Sequence, residues 1–276
     1  MTKKKFPVAL TFDVDCQTLW TARDKRYYQQ PVTLSLGNYG AYEGVARILR
    51  ILNKYGVKGT FNIPAETADL FPALCLDIFE AGHELGNHGY THAWPETFTS
   101  KEEEAEEYRK AGERIRELTG TAPIGFRSPA WEFSPYTADI LPELGILYSS
   151  NMMHTEKIHR LEVLGEKKNL IEFPIHWAMD DAAYWLYSTK LTGKAMQPLD
   201  AVEQVFIRHF DVLYEEFHSI PGREDTLYVL TCHPQVIGLP ARSLVLENVI
   251  RHILQRKDAE FVRLGDLAGK YQYLLK

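Results

Sequence analysis

Short apolar runs that end in polar residues alternate along this chain with amphipathic segments of helical period. VALTFDVD (8–15) is an apolar run closing on acids, as expected of a buried strand whose carboxyl end lies at a site. Residues 21–40 are polar and aromatic with two glycines and predict a loop. EGVARILRILNKYG (43–56) has apolar residues at helical spacing and stops at Gly56. VKGTFNIP (57–64) reads as a second strand. FPALCLDIFEAG opens a helix with a proline in its first turn and closes it at Gly82, and HELG follows as a third strand. SKEEEAEEYRKAGERIRELTG (100–120) is the clearest helix: Ser100 and Glu103 form a capping box, Glu pairs with Lys and Arg along it, and Gly120 ends it. IGFRSPAW (124–131) predicts a strand and then a loop, SPYTADILPELG (134–145) a helix, and ILYSSN (146–151) a strand. NLIEFPIHWAMDD (169–181) reads as a strand entering a loop. TLYVLTCHP (226–234) and EFVRL (260–264) are further strands, with helices over 198–217 and 241–255 and a short one at LGDLAGKY (264–271).

Strand and helix thus alternate about seven times, the pattern of a parallel α/β sheet, open or closed into a barrel. No internal repeat, low-complexity tract or linker interrupts it, so residues 1–276 read as a single domain. A net charge of −6 speaks against a nucleic-acid partner, which needs clustered cations, and the one basic cluster is Lys3, Lys4 and Lys5. No run approaches the ~18 apolar residues of a membrane span. PVALTF, between Lys5 and Asp13, is too short for the core of an export signal. Cys16, Cys75 and Cys232 have no zinc-like spacing. A reduced, cytoplasmic protein is the expectation.

The chemically capable residues fall at the carboxyl ends of the expected strands, where barrels keep their chemistry: Asp13 and Asp15, His88 and His92, Arg127, Ser149 and Ser150, Trp177 to Asp181, and His233. His88 and His92 lie four apart in GNHGYTH (86–92). One helical turn would aim both rings at a single point, which suits a divalent metal, although such a pair alone is more often two solvated loop histidines. Asp13 and Asp15, two apart, share a face in a regular strand and repel unless a cation lies beside them; a polar turn is the bland alternative. Arg127 at a strand mouth can orient a carboxylate through paired hydrogen bonds. His233, at the end of YVLTC, could protonate a leaving group or serve only the fold.

In this order, TFDVD, HGYTH, GFRSPAW, YSSN and TCHPQVIG resemble the successive motifs of the polysaccharide deacetylases, which include chitin and peptidoglycan deacetylases. The resemblance runs from about residue 7 to about residue 266. DVD, HGYTH, EFPIHWAMDDAAYW and HPQVIG are similar to one subgroup, which holds a peptidoglycan-deacetylase-like protein, cyclic imide hydrolases and a metal-independent allantoinase. The resemblance implies a distorted, incomplete (β/α) barrel with about seven parallel strands. It implies that Asp15, His88 and His92 bind a divalent metal, zinc first, with cobalt or another divalent ion as alternatives. Asp13 would be the general base, Arg127 would position Asp13, and His233 would be the general acid on the departing nitrogen. Trp131, Trp177 and Asp181 would line the substrate pocket.

The implied activity is metal-dependent hydrolysis of a carbon–nitrogen bond other than a peptide bond, in an N-acetylated sugar or related small amide. A cytoplasmic hydrolase of cyclic imides or ureides is the alternative, favoured by the missing export signal. A non-catalytic metal- or sugar-binding protein is a second. Analogy with the subgroup adds a homo-oligomer, a tetramer. The aromatic runs at 18–28 and 182–187 could roof a small pocket or form a subunit interface. Where the subgroup carries Gly then Glu after DVD, this chain has Cys16 and Gln17, a thiol expected within reach of the metal.

Overall fold

The computed structural model describes residues 4–187 and 195–276, so Lys3 of the basic cluster lies outside it. Nine strands form one sheet: β1 Phe6–Asp13, β2 Thr60–Ile63, β3 Glu84–Asn87, β4 Gly125–Phe126, β5 Tyr148–Ser149, β6 His159–Val163, β7 Glu166–Glu172, β8 Tyr228–Cys232 and β9 Ala259–Phe261. Their order is β6-β7-β5-β4-β3-β2-β1-β8, with β9 paired to the first residues of β1. From β7 to β8 every pairing is parallel, and only the β6–β7 hairpin is antiparallel.

The sheet curls until its two ends approach. Just before β6 and β8, Leu227 N–H donates to Glu156 O (3.0 Å) and Ile158 N–H to Asp225 O (2.9 Å). That short bridge stands in place of a full strand pair and leaves the barrel incomplete, as the motif resemblance implied.

β1 pairs with β2, β8 and β9, and all eight of its residues are buried, as a parallel strand covered on both faces requires. Period-2 alternation divides its side chains. Phe6, Val8, Leu10 and Phe12 join the larger core, which holds Ile48 and Leu52 of the helix Val45–Tyr55, Phe206 and Phe210 of Leu199–Ser219, and Val249 and Ile250 of Pro240–Ile253. Ala9, on the opposite face, packs with Tyr148, Phe173, Val229 and Leu267. Thr11 and Asp13 follow on that same face, so it turns polar toward the strand's carboxyl end.

Two expectations from the sequence fail. The segment expected to be a loop, 21–40, is largely helical: a 3₁₀ turn Lys25–Gln29, then Pro31–Tyr39, running through a π-helical turn Gly40–Gly44 into Val45–Tyr55. Pro31 starts the helix, where its missing N–H costs nothing. The glycines are there for close approach, not for a turn. A Cβ on Gly37 would lie 2.6 Å from Cys16 O and 2.7 Å from Gln17 Cα. This helix therefore docks backbone to backbone on the turn that follows Asp15. The second miss is β6, whose hairpin turns through Leu164 and Gly165, both at positive φ.

Gly37→Ala must push the helix off that turn. The expected cost is about 1–3 kcal/mol, the range for overpacking, read as a lowered urea midpoint with an unchanged slope. An unaltered midpoint would show that the docking is looser than described.

Candidate active site

Five neighbouring strands, β4-β3-β2-β1-β8, deliver the polar groups from their carboxyl ends in spatial order: Arg127, His88, Asn62, Asp13 with Asp15, and His233. The site is read outward from Asp13, the last residue of β1. Its carboxylate is buried and takes three hydrogen bonds: Asn62 Nδ2 (2.8 Å) and Arg127 Nη1 (3.1 Å) on Oδ1, and Trp131 Nε1 (3.3 Å) on Oδ2. Burial alone would raise its pKa. Arg127, with His88 and His233, outweighs that and holds it below the ordinary carboxylate range.

Arg127 is fully buried. It gives one N–H to Asp13, not the bidentate pair expected from the sequence. Its other donors go to Thr11 Oγ1 (2.8 Å), Thr231 Oγ1 (3.2 Å), Ser150 O (3.1 Å) and Ser150 Oγ (2.8 Å). The guanidinium thus ties β1, β4, β8 and the end of β5 together behind the carboxylate.

GNHGYTH brings its histidines together, but not by a helical turn. His88 follows the end of β3, and the chain then reverses through Gly89 and His92, both at positive φ (74° and 63°). Gly86, just before, is required by contact: its Cβ would lie 2.3 Å from Oδ1 of Asn62, the residue that holds Asp13.

Asp15 Oδ1 lies 3.3 Å from His88 Nε2 and 3.6 Å from His92 Nε2, and the three atoms fall within 4.8 Å of one another. All three residues are buried, yet Asp15 Oδ1 and His92 Nδ1 have no hydrogen-bond partner. A buried carboxylate oxygen without a donor is costly. His88 Nδ1 lies 2.7 Å from Arg127 O. That contact needs the proton on Nδ1 and leaves the Nε2 lone pair facing Asp15. Two imidazoles and one carboxylate converging with unsatisfied lone pairs fit a divalent ion with room for a further ligand. Burial raises the Asp15 pKa, but His92 and His88 reverse this and hold it far below its ordinary value. Burial takes His92 down to about 4.

His233 follows β8. Its Nδ1 lies 2.7 Å from Asp181 Oδ1 and 3.3 Å from Asp180 Oδ1, its backbone N–H also donates to Asp181, and its Nε2 lies 3.7 Å from Asp15 Oδ2. Asp181 is a correction to the sequence reading. It is fully buried with its carboxylate turned to His233 and does not reach the pocket; its neighbour Asp180 does. Burial raises Asp181 to about 6, with His233 opposing.

Cys16 is also corrected. It is fully buried in the larger core, outside the metal-capable clusters found among the described residues, and burial pushes its thiol well up. Its φ of 51° explains why glycine suits that position.

Above these groups is a pocket of about 360 Å³. Trp131 and Trp177 stack at its wall, centroids 4.1 Å apart, and Trp177 is exposed at the rim. Both aromatic runs help to wall it, Leu19 and Arg23 from the first and Ala182, Ala183 and Leu186 from the second. Sequence reasoning missed Asn62 and Trp94, and it gave Asp180 and Arg23 no role beyond their stretches. Asn62 could have been found from its place at the end of a strand beside β1.

Comparison with known proteins settles the family. The polysaccharide deacetylase family model matches residues 1–149, more than half the chain and the part that carries Asp13, Asp15, His88, His92, Arg127 and Trp131. The chain belongs to the polysaccharide deacetylase family. Polysaccharide deacetylases act on carbon–nitrogen bonds other than peptide bonds, and this member is a hydrolase of that kind. It is 29% identical to a peptidoglycan deacetylase of Helicobacter pylori over 97% of each chain. A crystal structure from Mycobacterium smegmatis assigned to the polysaccharide deacetylases superposes with a TM-score of 0.89 at 28% identity, covering 98% of this chain and 92% of the other. The Puue allantoinase shares the fold, with a TM-score of 0.81 at 20% identity over 99% of this chain and 92% of that one.

Arg127→Met would strand the Asp13 carboxylate in the interior. Breaking such a buried pair costs about 3–5 kcal/mol, to be measured by urea unfolding. A loss below ~1 kcal/mol would mean that water or another donor replaces the guanidinium.

Proposed function

We propose that this member of the family is a metal-dependent amidase, with residues 1–276 as one catalytic domain that removes the acetyl group from an N-acetylated sugar or related small amide. The observation that supports this most is the convergence of Asp15, His88 and His92 on one point beside a separately held carboxylate, Asp13, and a separately held imidazole, His233.

Asp15, His88 and His92 would hold the divalent ion, zinc by preference for two imidazoles and a carboxylate. When bound, the ion polarises the scissile carbonyl and acidifies water in the site. Asp13 then takes the proton from the attacking water as its oxygen bonds to the carbonyl carbon. Arg127, Asn62 and Trp131 fix the Asp13 oxygens for that transfer. Asp181 holds His233 Nδ1, so that Nε2 is the atom facing the site, and Nε2 delivers a proton to the nitrogen as the carbon–nitrogen bond breaks. The products are a carboxylate and a free amine. A base and an acid placed in this way contribute on the order of 10²–10⁴-fold each.

A second reading, the opening of a small cyclic imide or ureide, draws support from the pocket: about 360 Å³ lies at the small end of ligand sites and has room for one compact molecule. The same residues would take the same roles. A non-catalytic binder would have no use for both a base and an acid, and both stand in place.

Metal analysis of the purified protein should give about one divalent ion per chain, absent from the His88→Ala His92→Ala variant. No metal in the wild-type protein would remove the metal-dependent reading. Asp13→Asn should keep the ion while turnover on N-acetylated sugars or cyclic imides falls at least ~100-fold. Normal turnover in that variant would end its role as base.

A further inference from the structure

Arg23 is a charged group of the pocket that the reaction leaves without a task. It follows the short helix Thr18–Thr21, whose turn fixes it: its backbone N–H donates to Trp20 O (3.1 Å), and that of Ala22 donates to Thr18 O (3.1 Å). The side chain lines the pocket with its guanidinium over Trp94, 5.1 Å from the ring centroid. Among the described residues, no hydrogen bond or ion pair joins that guanidinium to any acceptor. Arg26, three residues on, is by contrast held by both oxygens of Asp24 (2.8 and 3.0 Å).

The remaining formal charges of the pocket wall are the carboxylates Asp13, Asp15 and Asp180 and the histidines. Arg23 is near enough to Asp15 and His92 for their charges to interact. A guanidinium carries a planar fork of donors, keeps its charge at any working pH, and stacks on an aromatic face without losing that fork. Arg23 is exposed at the pocket and stacked on Trp94, so its donors are open to a planar anion. It also offers a negative group a place apart from the carboxylates that would repel it.

We propose that Arg23 makes this site select an amide that carries its own carboxylate, the acid group paired with Arg23 over Trp94 while the scissile amide lies between Asp13 and His233. This rests on the amidase reading above and narrows its substrate class. A pocket of about 360 Å³ has room for the amide and the acid within one small molecule or one sugar residue.

Two matched pairs of probes test it by equilibrium binding to the purified full chain. One pair is N-acetylglucosamine and its C6 carboxylate, 2-acetamido-2-deoxyglucuronic acid. The other is hydantoin and hydantoin-5-acetic acid. Fluorescence of the pocket tryptophans Trp94, Trp131 and Trp177 supplies the signal. The acid of at least one pair should bind on the order of 10- to 100-fold more tightly than its neutral partner, the range of a charge-assisted contact. Arg23→Met should bring the members of that pair to within about twofold, and Arg23→Lys should fall between. Equal affinities in the wild type, a preference that survives Arg23→Met, or no detectable binding of either acid would overturn the proposal. Hydrolysis without acid preference removes this inference and leaves the amidase. Acid preference without hydrolysis of any probe by the metal-loaded enzyme removes the amidase reading and leaves the anion site.

Discussion

A carboxylate and a guanidinium, both fully inside the protein, are the pair around which this molecule is arranged. Asp13 and Arg127 could not each be buried alone, because an isolated charge in an apolar interior is prohibitively costly. Together they are tolerated only if every remaining donor and lone pair finds a partner. Asn62, Trp131, Thr11, Thr231 and Ser150 meet that requirement, and they come from or adjoin five different strands. The polar cluster therefore fixes the strands' carboxyl ends against one another, while the apolar core fixes the rest of their length.

The same arrangement gives three groups that share a few ångströms distinct surroundings. Asp13 takes Asn62 and Arg127 on Oδ1 and only Trp131 on Oδ2. Asp15, two residues on, is left with an oxygen that no donor reaches. His233 is tied to Asp181 through Nδ1, while its Nε2 faces Asp15 Oδ2 at 3.7 Å. Identical side-chain types thus meet different electrostatic surroundings within one site.

Much of this was legible in the sequence. The buried runs and their acidic ends marked the strands, and the capping box at Ser100 marked its helix, where Ser100 accepts from Glu103 N–H at 3.2 Å. The site residues announced themselves by falling at strand ends. What stayed hidden depended on distant contacts. Gly37 reads as a turn signal because nothing local shows that Cys16 will lie against it. The convergence of His88 and His92 was expected from a helical turn and comes instead from a left-handed reversal. Asp181 was expected at the pocket from the motif resemblance, and only the fold shows that Asp180 lines it while Asp181 turns to His233. Asn62 carries no motif, and its value comes from pairing beside Asp13 in register.

The position of β1 has a consequence for how the chain is made. It precedes the other eight strands along the chain and lies between β2 on one side and β8 on the other, the latter in register from Val8↔Tyr228 to Phe12↔Cys232. At ordinary translation rates, roughly 10–40 s pass between the emergence of one strand and the other. Throughout that interval an eight-residue, largely apolar strand ending at Asp13 has one edge without its permanent neighbour. Such an edge pairs readily with other chains. The burden of guarding it falls on whatever meets the nascent chain, and a slip of one residue when β8 finally docks would turn His233 away from the site.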